Sequence, residues 1–178
     1  MENKGDHGSY LKFFAMIGTS MVVMFFLMYL HSYQLLDHAW FSETRLFMTL
    51  IMGAGMIWVM LGFMWGMYLN RKANVAILLG GVALFGAALW LVRSQWTVTG
   101  VDYMQGMIPH HSIAVLTSER AQIEDLRVRK LADEIIAAQR REIKEMEWLI
   151  EDIRKNGVAL STEDVADRPV PEFNSDPE

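Results

Sequence analysis

Ten residues in the second half of the chain hold most of its chemical promise: Asp102-Tyr-Met-Gln-Gly-Met-Ile-Pro-His-His111. On a helix, Met107 lies one turn before His110 and His111 on the same side, and Met104 lies a turn further back. Imidazole with thioether and no thiolate is a donor set suited to copper, above all Cu(I), and by similarity to Ag(I). Zinc sites use sulfur as thiolate, calcium and magnesium take oxygen ligands, and a ferritin-type di-iron site needs Glu-x-x-His pairs. No such pair occurs, and with no cysteine the chain has no disulfide, thiolate metal site or cysteine nucleophile. Adjacent histidines point about 100° apart on a helix, so His110 and His111 need not act together.

These residues need helices to position them. The spacing predicts a helix over 103–119 with Asp102 as its N-cap, presenting Met104, Met107, His111, Ala114 and Ser118 on one face. Pro109 inside it removes a backbone hydrogen bond, so a kink is expected. A second helix is predicted over 125–155, closed by Asn156-Gly157. Its seam is Ala132, Ile136, Gln139, Ile143, Met146, Ile150 and Ile153, a seven-residue repeat with one polar intruder. Folding the pair about residues 122–125 brings position 104 near 143, so Met146 and Gln139 should face the Met/His cluster. Two such helices are short for an independent core. The expectation is an antiparallel hairpin, residues 101–157, that self-associates into a four-helix-type bundle. The acidic, proline-containing tail, 158–178, is expected to be disordered.

The front half is of another kind. Residues 1–92 carry nine charged side chains, whereas the remaining 86 carry twenty-eight. Three uncharged runs, 13–30, 47–69 and 75–92, each meet the ~20 apolar residues that a membrane-spanning helix requires. The fold class expected is therefore all-α: a membrane domain over 1–92, a linker over 93–100, and the extramembrane hairpin. The first run is too long for a signal peptide and no small-x-small cleavage site follows it, so it reads as a retained anchor. Lys4, Lys12, Arg71 and Lys72 cluster on one side, which predicts a cytoplasmic N-terminus. Three crossings then put the charged half outside, periplasmic in a bacterial inner membrane. The lipid bilayer is one partner, while a net charge of −5 argues against nucleic acid.

Within the membrane domain, Gly62-x-x-x-Gly66 and Ala83-x-x-x-Ala87 are small-residue pairs that permit close helix contact. Met48, Met52, Met56, Met60 and Met64 recur every four residues and wind slowly around the second helix. Methionine is ordinarily an adaptable apolar filler; the alternative is a thioether track for a soft metal ion. Met28, His31 and His38 fall on one face at the outer end of the first helix, a candidate second metal site.

The charged half resembles a known family. Asp102-x-x-Met104-x-x-Met107-Ile-Pro-His110-His111-x-x-Ala114, followed by Ile135-Ile-x-x-Gln139-x-x-Glu142-Ile-x-x-Met146-x-x-Leu149, is similar to the domain of unknown function 305 family over about residues 101–153. The resemblance implies a helical, ferritin-like bundle, often exported, with members associated with copper binding and copper tolerance. Carried over by position, the implied metal ligands are Met104, Met107, His110, His111 and Met146. The chain departs from the pattern at Thr117, where the family commonly has methionine, and loses a thioether there.

The function expected is a membrane-anchored periplasmic protein that binds Cu(I), or silver, for buffering, tolerance or delivery to other copper-handling proteins. Homo-oligomerisation is expected and enzymatic activity is not. The alternative is a structural membrane protein whose hairpin serves oligomerisation without metal. A transport reading, with the methionine band as a conduction path, predicts copper uptake by proteoliposomes.

Overall fold

The computed structural model describes residues 4–29 and 40–176, with side chains from Ser9 onward. Among the described residues all regular structure is helical, and the chain divides into two compact units. One comprises Met1–Met28 with Glu43–Thr97, the other Tyr29–Ser42 with Val98–Glu178.

The first unit contains α1 (Lys4–Leu27), α2 (Glu43–Phe63) and α3 (Arg71–Ser94), with α2 packed against both others. Their apolar stretches of 19, 21 and 24 residues are long enough to cross a bilayer. The helix ends differ from those that hydropathy alone predicts. α2 stops at Phe63 rather than residue 69, and Met64–Met67 turn the chain although they are apolar. Gly66 therefore lies beyond the helix, and the pair with Gly62 forms no helix face. Close approach falls instead at Gly53, where a Cβ would stand 2.4 Å from the Met21 sulfur, and at Gly81, where it would stand 2.6 Å from the Trp58 indole nitrogen. α3 starts at Arg71, four residues before the uncharged run, because the Asn70 side chain accepts from Ala73 N–H.

The reversal between α2 and α3 is fixed by a buried polar cluster. Asn74 is fully buried, donates to Tyr68 O at 3.0 Å, and accepts the Tyr10 hydroxyl at 2.6 Å. Tyr10 stacks on Tyr68, which closes over Phe13, Ile17, Ile57 and Leu61. Met60 and Met64 pack against this core, whereas Met48 and Met52 are exposed, so the methionine band winds from the unit's surface toward its interior. Met28 lies just past α1, its carbonyl accepting from Arg45 at 2.8 Å; His31 and His38 lie outside the described residues.

In the second unit, α4 spans Gly100–Arg120 and α5 spans Leu126–Asn156. The N-cap of α4 is Thr99, three residues before the expected Asp102. Asp102 is instead the N3 partner that receives Thr99 N–H, completing a capping box. α4 continues through Pro109 as one helix. α5 begins after its Asp125 cap and closes at Gly157, where φ is 81°, close to the sequence expectation. The two helices pack on each other: Ser118 O accepts from Arg129, Glu119 pairs with Arg140, and His111 meets Glu142. Their shared core is Met104, Ile108, Ile143 and Ile150, joined by Trp40, which also receives the Arg154 guanidinium over its ring at 5.4 Å.

The tail contains one short helix. Ser161 caps a short helix, α6 (Thr162–Asp167), through a second capping box. Arg168 then pairs with Asp152 at 2.8 Å, both side chains mostly buried, and Lys144 holds Asn174 at 2.9 Å. Its acidic composition hid these specific anchors, each of which lies on α5.

Candidate metal centre

A cavity of about 440 Å³ opens between α4 and α5. Met104, Met107 and His111 line it from α4, since steps of three and four residues keep them on one helix face. Glu142, Glu145 and Met146 line it from α5, and Gly100, Tyr103 and Leu149 complete the lining. Met104 is buried, and Met146 packs on the same apolar cluster. Both thioethers thus belong to the core and to the cavity wall at once.

His111 is the best-determined group of the site. It is 9% exposed, with Nδ1 3.0 Å from the Met107 carbonyl and Nε2 2.8 Å from Glu142 Oε2. A carbonyl oxygen and a carboxylate oxygen both only accept, so Nδ1–H is held by Met107 O and Nε2–H by Glu142; a metal ion at Nε2 would take the place of that hydrogen. A backbone carbonyl in this role orients the ring in the way that outer partners of metal-bound histidines do.

Not every residue implied by the family resemblance comes together here. His110 is exposed, its ring centroid 6.1 Å from that of His111, and it does not line the cavity. Gln139, expected to face the cluster, is half-buried and outside the lining, with a buried Oε1 that lacks a hydrogen-bond partner. Glu142 stands in the motif that carries the family resemblance but is not among the metal ligands which that resemblance implies. A glutamate on a highly charged helix looks solvated, and only its place four residues before Met146 hints that the two share a face.

Among the described residues, no three histidine, aspartate or glutamate side chains converge to hold an ion. A metal in this cavity therefore needs the methionines. One imidazole, two carboxylates and three thioethers line it, and the three thioethers fit a soft ion.

The residues of this unit match a family model described as "Domain of unknown function (DUF305)" over residues 100–172. The match starts at the first residue of α4 and continues beyond α6, taking in the folded tail. The chain is also similar to the uncharacterized protein L153 of Acanthamoeba polyphaga mimivirus, 31% identical over 104 residues that cover 54% of this chain and 68% of that protein. No solved structure matches the chain.

Proposed function

The chain belongs to the domain of unknown function 305 family, and from this premise we propose that it is a membrane-anchored copper-binding protein. Its α4–α5 pair takes Cu(I), or silver as Ag(I), for buffering, tolerance or transfer to other copper-handling proteins. The observation that carries this reading is His111: its Nδ1–H is held by Met107 O, and Nε2, hydrogen-bonded to Glu142, stands at the wall of a cavity lined by Met104, Met107 and Met146. The ligands are those three methionines and His111. His110, exposed on the other side, serves at most as a residue of first encounter.

The basic residues Lys4, Lys12, Arg71 and Lys72 support a cytoplasmic N-terminus and a periplasmic metal-binding unit in a bacterial inner membrane. The α4–α5 pair acts as a hairpin that completes its core by self-association. Leu126 and Leu131, 83% and 55% exposed near the start of α5, support such a contact.

An anaerobic Cu(I) competition titration on the full-length protein in detergent tests the metal reading. His111→Ala should weaken binding by about 10–100-fold, at the scale of lost metal-site interactions, while His110→Ala should leave it nearly unchanged. Equal binding by wild type and His111→Ala overturns the assignment. Loss of binding on His110→Ala alone would move the site to the other face of α4.

A further inference from the structure

The chain that leads from α1 into α2 does more than join two membrane-length helices. Its last residues, Trp40–Ser42, belong to the same compact unit as α4 and α5. Trp40 packs on the cluster of Met104, Ile108, Ile143 and Ile150, and its ring receives the Arg154 guanidinium at 5.4 Å. Ser42 is 2% exposed and sits against Gly106, where a Cβ would stand 3.1 Å from the serine Oγ. Gly106 lies outside the cavity lining, turned about 100° around α4 from Met107. The connector thus holds α4 at a residue outside the cavity, while Met104 belongs both to the cluster that carries Trp40 and to the cavity wall. Glu43, the next residue, opens α2.

Opposed terms act on this hold. Buried indole surface and the guanidinium contact favour it. Against it, the Trp40 Nε1–H is enclosed without a hydrogen-bond partner among the described residues, a donor that water would satisfy if the ring came away. A contact balanced in this way responds to small changes in the surface beneath it. An ion bound by Met104 and Met146 fixes two flexible side chains of that surface, and so binds the docked connector better than the loosened one.

We propose that Trp40 and Ser42 form an occupancy-sensing latch. Metal in the α4–α5 cavity tightens the connector on α4, the empty cavity lets it loosen, and the start of α2 registers the difference. The inference rests on the metal reading of the pocket. Such coupling is reciprocal, so the docked connector strengthens metal binding by the factor by which metal strengthens docking.

The test uses full-length protein in detergent with Ag(I) as the probe, and follows hydrogen–deuterium exchange of residues 40–46 by mass spectrometry. In the unsubstituted protein, saturating Ag(I) should slow exchange there by about 5–150-fold, the span of ordinary coupling between sites, and leave α6 unchanged. Gly106→Leu keeps a good helix former in α4 and puts a side chain where Ser42 sits. It should abolish the protection and weaken Ag(I) binding by the same factor. Trp40→Ala should do so from the connector side, with α4 unaltered. Unchanged exchange at 40–46 on Ag(I) binding overturns the latch while the metal reading stands, and that measurement needs no variant to fold. Equal protection of α6 also overturns it, because Ag(I) would then only stabilise the unit as a whole. Undiminished Ag(I) affinity in both variants overturns it as well. Failure of the unsubstituted protein to bind Ag(I) or Cu(I) ends the metal reading itself, and this inference with it.

Discussion

Each unit of the molecule buries a polar side chain, and the two are treated differently. Asn74 is fully enclosed: its amide donates to Tyr68 O and its carbonyl receives Tyr10. His111 has an equally firm hold on one nitrogen, through Met107 O, but its other nitrogen faces a carboxylate at the wall of an open cavity. A closed polar cluster fixes a turn in an apolar setting, where an unpaired amide costs several kcal/mol. An open one keeps an imidazole and its carboxylate partner within reach of a ligand. The methionines repeat the contrast. Those of α2 lie partly on the unit's surface and partly on its core, with no described imidazole among them, whereas Met104, Met107 and Met146 surround one. Thioethers become ligands through their neighbours, not through their number.

The largest effects expected come from the apolar floor beneath the cavity. Ile108 and Ile150 are fully buried in the cluster that includes Met104. Ile108→Ala or Ile150→Ala should each cost about 2–5 kcal/mol, seen as a lower thermal midpoint of the α4–α5 unit by circular dichroism. A loss below about 1 kcal/mol would mean that this core is not the one that holds the unit together.

Asn74→Leu comes next. It removes the donor to the Tyr68 carbonyl and one of the acceptors of the Tyr10 hydroxyl, which keeps Asn70 O, and should destabilise the membrane unit by about 1–3 kcal/mol, with Ag(I) affinity unchanged. A change in Ag(I) affinity would break the division of labour between the two polar clusters.

Methionine exchanges sharpen the comparison further. Met104→Leu with Met146→Leu conserves volume and should cost under about 1.5 kcal/mol per site, yet it removes two thioethers and should lower Cu(I) affinity markedly. Met56→Leu with Met60→Leu, the same chemistry in α2, should leave Cu(I) affinity alone. If both pairs weaken binding alike, the membrane band is a metal path after all.

How much of this was legible beforehand follows the same physics. Long apolar runs announce membrane-length helices, and Asp125 with Asn156-Gly157 marks the ends of α5 within a residue. The ends of α2 and α4 were obscured because their signals compete. Met64–Leu69 is apolar enough to continue a helix but is needed for the turn that Tyr68 and Asn74 build, and Asp102 is a good N-cap that Thr99 pre-empts. Helical period placed Met104, Met107 and His111 on one face. What period does not reveal is depth across a helix pair, so it does not place Glu142 beside His111, and α6 was hidden by the acidity of its surroundings.

The smallest effect expected lies at the α5 cap, far along α5 from the cavity. Asp125 accepts from Arg127 N–H and pairs with its guanidinium, and the Arg127 side chain chiefly holds the Asp125 pKa down, from 3.8 to about 2. A carboxylate with a depressed folded pKa contributes its stability above the unfolded value and loses it as pH falls through the folded one. This contribution is therefore complete above about pH 4 and disappears as pH falls to about 2. Because the group is exposed, the gain is slight and screened by salt. Asp125→Asn keeps a good N-cap and removes only the titrating charge. Thermal midpoints of the two proteins should converge as pH drops from 4 to 2. The same titration of Asp125→Asn should leave Ag(I) affinity at neutral pH untouched, because the cap positions the start of α5 and not the cavity wall. A persistent gap at pH 2 would assign the cap's contribution to geometry, with the Arg127 pair adding nothing.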